Sequence, residues 1–107
     1  MILRKDMKDE INSIVGQIVE NYQPEKIILF GTASDKKEQN PNDIDLLLIK
    51  NTDCPGLYRR GEALKNVAYH FPLDIIVLTS NELQILLKKN SVFFKSIIDR
   101  GVVLYDQ

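Results

Sequence analysis

Two short apolar runs with carboxylates set into the second constrain this chain most. Lys26-Ile-Ile-Leu-Phe30 ends abruptly at Gly31-Thr32. After a polar stretch the chain becomes apolar again through Asp43-Ile-Asp-Leu-Leu-Leu-Ile49. Short apolar runs bounded by turn residues read as buried strands. Side chains alternate faces along a strand, so Asp43 and Asp45 are expected on one side. Two like charges about 4 Å apart repel by about 4 kcal/mol in a partly buried setting. Protonation of one group relieves that, and so does a cation held between them. Carboxylate oxygens are hard ligands, which points to Mg²⁺ or Mn²⁺ with water and phosphate filling the remaining positions. Gly31-Thr32 offers backbone N–H groups and a hydroxyl to such phosphates, above all if a helix begins there.

The bland alternative is turn chemistry. Pro41-Asn42 signals a turn, and Asp43 next to it suits an Asx-type hydrogen bond. That account handles Asp43 and leaves Asp45, flanked by Ile44 and Leu46, without a reason. A third apolar run, residues 72–79, is again interrupted by one carboxylate, Asp74. An in-strand aspartate can pair with a lysine or arginine, or it can join the other two.

The remaining segments read as follows. Residues 6–22 carry Ile11, Ile14, Val15, Ile18, Val19 and Tyr22 at helical spacing, a core-facing stripe. Asp9 and Glu10 suit the start of that helix, and Pro24 stops it. Residues 57–71 read as a second helix, with Leu57, Leu64, Val67, Ala68 and Phe71 on the buried side. Arg59, Arg60 and Lys65 fall on its other faces as solvated charges, with phosphate or nucleic acid as the sharper option. Thr79 and Glu82 are spaced for a capping box. After Asn90-Ser91 a last helix carries Val92, Phe93, Phe94, Ile97 and Ile98, Gly101 ends it, and residues 102–105 form a final strand. This end of the chain holds more large apolar residues than one helix face needs, so the surplus is a candidate protein interface. His70, the sole histidine, suits a helix end or the surface better than a base, and Cys54 reads as a small turn residue.

These elements give an α/β (α+β) fold, a mixed central sheet of about four strands with helices packed on it. No G-x-G-x-x-G or Gly-Lys-Ser/Thr follows a strand, which argues against dinucleotide-binding and P-loop folds. At 107 residues the chain is expected to be one domain, residues 1–107. With 14 basic against 15 acidic residues there is no global pull towards nucleic acid or an anionic membrane. One cysteine excludes an internal disulfide and fits a reducing cytoplasm, and the first residues lack the form of a secretory signal.

Gly31-Thr32, a gap, and Asp43-Ile-Asp45 resemble the Gly-Ser and Asp-x-Asp signature of the polymerase-beta-like nucleotidyltransferases. The nearest likeness is to the minimal nucleotidyltransferase group, with Asp74 matching the third family carboxylate. Thr32 keeps the hydroxyl of the usual serine, while Lys36 stands where the family often has a second glycine. The resemblance implies transfer of a nucleoside monophosphate from an NTP, ATP above all, to a hydroxyl acceptor. Asp43, Asp45 and Asp74 would be the catalytic and metal-binding residues, and Gly31 and Thr32 would hold the nucleotide. It further implies an antitoxin role beside a helical HEPN-type partner, whose tyrosine is one acceptor and a small molecule such as an aminoglycoside another. A homo-oligomer also fits. The rival reading is an inactive binding module of the same fold that neutralises its partner by contact. A polymerase subunit is disfavoured, because the chain has no room for a template-gripping domain.

Overall fold

The computed structural model describes residues 4–34 and 42–107. The loop position Lys36, noted above, lies outside the described residues. In chain order come α1 (Lys5–Tyr22), β1 (Lys26–Phe30), a 3-10 turn (Gly31–Ser34), β2 (Ile44–Ile49), α2 (Gly56–Leu64), β3 (Leu73–Leu78), α3 (Ser80–Lys88), α4 (Val92–Arg100) and β4 (Val102–Asp106). The strands form one mixed sheet in the order β3-β2-β1-β4. β1 runs antiparallel to both β2 and β4, and β2 and β3 are parallel. The parallel pair follows from its connection, because α2 carries the chain back before β3 begins.

Strand alternation divides the core in two. Ile27, Leu29, Ile44, Leu46, Leu48, Ile75 and Val77 pack with Met7, Ile11, Ile14 and Ile18 of α1 and Ala63 of α2. Ile28, Leu47 and Ile49 face the other way, onto Leu83 of α3 and Ile97 of α4. Both faces of β2 are therefore covered, which is why its sequence is a continuous apolar run after Asp45. The apolar stripe of α1 packs as its spacing predicts. The Thr79/Glu82 capping box is present: Thr79 Oγ1 accepts from the Glu82 N–H (3.1 Å), and Glu82 Oε1 accepts from the Thr79 N–H (2.8 Å).

The segment after Gly56 departs from expectation. α2 ends at Leu64, and Asn66 takes a left-handed conformation (φ 62°) that starts a return loop. Leu57, expected in the core, is 84 % exposed, and Ala68 is exposed too. Two side chains of α1 hold the return loop. Gln17 Nε2 donates to the Ala68 carbonyl (3.0 Å), and Gln17 Oε1 accepts from the Ala68 N–H (2.8 Å). Glu10 is buried, and its Oε2 accepts from the backbone N–H groups of His70 and Phe71 (3.1 Å to Phe71). Glu10 thus orders the loop that leads into β3 instead of merely complementing the helix dipole. Glu10→Ala leaves two backbone donors without their acceptor and is expected to destabilise the fold by about 1–3 kcal/mol, read from the urea midpoint.

The arginines of α2 also depart from expectation. Arg59 is buried at 7 % exposure. Its Nε donates to the Cys54 carbonyl (2.8 Å) and its Nη1 to the Val77 carbonyl (3.4 Å). Nη1 and Nη2 together grip the Glu82 carboxylate (2.5 and 3.2 Å). Arg60 Nη2 donates to the Leu73 carbonyl (3.2 Å). β3 is an edge strand, and these two side chains cover its outward carbonyls, a familiar protection against stray pairing. The apolar surplus near the C-terminus does reach the surface: Val92 is 82 %, Phe93 52 % and Val103 52 % exposed.

Candidate active site

Register brings the strand carboxylates together. Asp45 on β2 pairs directly with Asp74 on β3, and on its other side with Phe30 on β1. Alternation puts Asp45 on the face of Leu47 and Ile49, and Asp74 on the face of Ile76 and Leu78, which is the α3/α4 side of the sheet. Asp43 lies just ahead of β2, one residue outside the strand expected to include it. Asp43 and Asp74 are exposed, and Asp45 is half-buried.

The turn after β1 closes the other side. Gly31 has φ +74°, a conformation glycine adopts without a Cβ penalty. A Cβ built on it would collide with Oδ2 of Asp45. Only a bare backbone fits so close to that carboxylate. The turn opens a short 3-10 helix over Gly31–Ser34, so the expected helical start after β1 is present. Thr32 belongs to this turn, and its side chain is outside the described residues.

Crowding shows in the proton affinity of Asp45. Its own burial raises its pKa above the ordinary value, and the charges of Asp74 and Asp43 raise it further. Asp45 therefore feels both other carboxylates at this end of the β2/β3 pair. Among the described residues, no three His, Cys, Asp or Glu side chains are gathered tightly enough to hold an ion as they stand.

Two aromatic residues meet on the Asp45 face of the sheet. Phe30 stands across from Asp45, and Phe93 of α4 meets the Phe30 ring edge-on, 5.8 Å between centroids. Neither carried a signal in the sequence, since only strand register sets Phe30 opposite Asp45 and only packing brings α4 to this end of β1. His70 is exposed in the return loop, and Cys54 lies in the turn before α2, its carbonyl bound by Arg59.

A four-stranded mixed sheet with helices on both faces, a glycine turn against one carboxylate and a second carboxylate across the parallel pair is the architecture of the nucleotidyltransferase fold. The family model described as "Polymerase beta, Nucleotidyltransferase" matches residues 12–107. The chain belongs to this family. Comparison with curated proteins and with solved structures returned no significant match. No helix among the described residues is long and apolar enough to cross a membrane.

Proposed function

We propose that this protein transfers a nucleoside monophosphate from an NTP, with ATP the first candidate, to a hydroxyl on an acceptor. One observation carries the reading: Asp45 and Asp74 are paired in register while the Gly31 backbone presses against Asp45. The donor set fits a hard divalent cation, Mg²⁺ or Mn²⁺. It consists of carboxylates alone, and one of them resists ionisation because it is partly buried and the others are near. Asp43, Asp45 and Asp74 would be its ligands. When bound, the cation supplies positive charge against the triphosphate and the departing pyrophosphate.

The chain's own residues do the rest. Gly31 and Thr32 receive the β- and γ-phosphates on backbone N–H groups of the turn. Asp74 is exposed on the edge strand, and its carboxylate is the group that takes the proton of the acceptor hydroxyl. The hydroxyl oxygen then bonds to the α-phosphorus, the bond from that phosphorus to its β-bridging oxygen breaks, and pyrophosphate leaves with the electron pair. The protein forms no bond of its own, so its contribution is positioning and electrostatics.

A partner protein of the HEPN type is the acceptor we favour, with this chain as its antitoxin. The apolar surface of Val92 and Val103 supports a protein partner. With Mg²⁺ and ATP labelled at the α-phosphate, a co-purified partner is expected to gain label. Asp43→Asn and Asp74→Asn should each lose that transfer. Neutralisation of the partner that survives both substitutions, without any label transferred, overturns this reading in favour of a binding module.

A further inference from the structure

The carboxylates are bordered on the β1 side by an aromatic ledge. Phe30 is the cross-strand neighbour of Asp45 and shares its face of the sheet. Phe93 meets Phe30 at 5.8 Å with the rings perpendicular. Phe94 packs edge-on against Phe93 in turn, at 5.0 Å and 79°. Two aromatic neighbours thus steady the Phe93 ring, yet it remains 52 % exposed. A large apolar ring held in place and left half in water, two side chains from a crowded carboxylate, offers surface on which a planar group can stack.

The occupant follows from what the adjoining site is built to hold. A nucleoside triphosphate whose phosphates lie at Gly31 and Asp45 carries one planar apolar group, its base, a single sugar away. We propose that Phe93 is the stacking platform for the nucleobase, and that the site grips the base by its face instead of reading its edge. This rests on the triphosphate reading of the carboxylate site. Among the described residues the ledge is built of aromatic rings alone, and stacking on them tolerates different bases, because every base has a π-face. Purines, with the larger face, bind more tightly than pyrimidines.

The test measures calorimetric binding of Mg·ATP, Mg·GTP, Mg·UTP and Mg·tripolyphosphate to the full chain. Phe93→Ala is expected to weaken both purine nucleotides roughly 5- to 150-fold and to leave tripolyphosphate unchanged. Phe93→Leu, which keeps the apolar volume and removes the ring, should show the same loss, and Phe93→Trp should restore binding. Equal affinity of the wild-type chain for ATP and tripolyphosphate overturns the platform and leaves the triphosphate site standing. Unchanged ATP binding in Phe93→Ala, with loss of a co-purified protein instead, also overturns it and assigns the ledge to a partner. Failure of the wild-type chain to bind either ligand overturns the triphosphate reading itself.

Discussion

Asp45→Asn is expected to lower nucleotidyl transfer by about a thousandfold or more, while the metal-free variant melts a few degrees above the wild-type chain. The two effects share one cause. Asp45 is half-buried, faces Asp74 across the strand pair and has the Gly31 backbone against it. Burial and the neighbouring charges raise its pKa on folding. A carboxyl with a raised folded pKa stabilises the fold fully only below its unfolded value, and that contribution is lost as pH rises through the folded value. At neutral pH the wild-type chain bears the cost of ionising Asp45 in this setting. Asparagine has nearly the same shape and no charge, so it avoids the cost. Thermal melts from acid to neutral pH check this: the two proteins should converge in acid and separate as pH rises. On the proposed reading Mg²⁺ raises the wild-type melting temperature and leaves the variant unmoved. An active variant, or one that is less stable at neutral pH, contradicts the role assigned to this carboxylate.

Arg59→Met carries the largest expected loss of stability, about 3 kcal/mol, towards the lower end of what breaking a buried ion pair costs. Arg59 is 93 % removed from water and donates to the Cys54 and Val77 carbonyls as well as to Glu82. One side chain therefore fastens the turn before α2, the edge of β3 and the start of α3. Methionine fills much of the volume and supplies none of the donors. The Glu82 side chain retains 41 % exposure, so water compensates part of its loss and keeps the cost below the extreme. The pair also sets acid behaviour. Arg59 lowers the Glu82 pKa below its ordinary value of 4.5, and the Thr79 N–H adds to this. A depressed carboxylate stabilises the fold above its unfolded pKa, and the contribution is lost as pH falls through the folded value. Wild-type stability should fall below about pH 4.5 more steeply than that of Arg59→Met, as urea midpoints across that range will show.

The carboxylates and the arginines were not equally legible. Asp45 and Asp74 could be found from the chain alone, because a charge inside a short apolar run violates the pattern around it. The strand pattern also held: short apolar runs bounded by turn residues, with the glycine stop after Phe30, placed β1, β2 and β3 within a residue or so. Arg59 violated nothing. At helical spacing it reads as a solvent-facing charge, and only the packing of α2 over the β3 edge turns it inward to Glu82. Glu10 misled for the same reason, since a carboxylate in the first turns of a helix already has a local explanation. The run from Leu57 to Phe71 looked like one helix because Val67 and Phe71 still pack on the core after the helix has ended.

Local pattern by itself determined which segments are strands, which faces are apolar and which carboxylates are out of place, because those depend on neighbours a few residues away. The tertiary structure alone decided that Asp45 lies opposite Asp74, that Gly31 must lack a side chain, that Phe93 stands against Phe30 and that Arg59 is interior. Each of these is a meeting between residues distant in the chain, set by strand register and helix docking, and no periodicity within either segment encodes it.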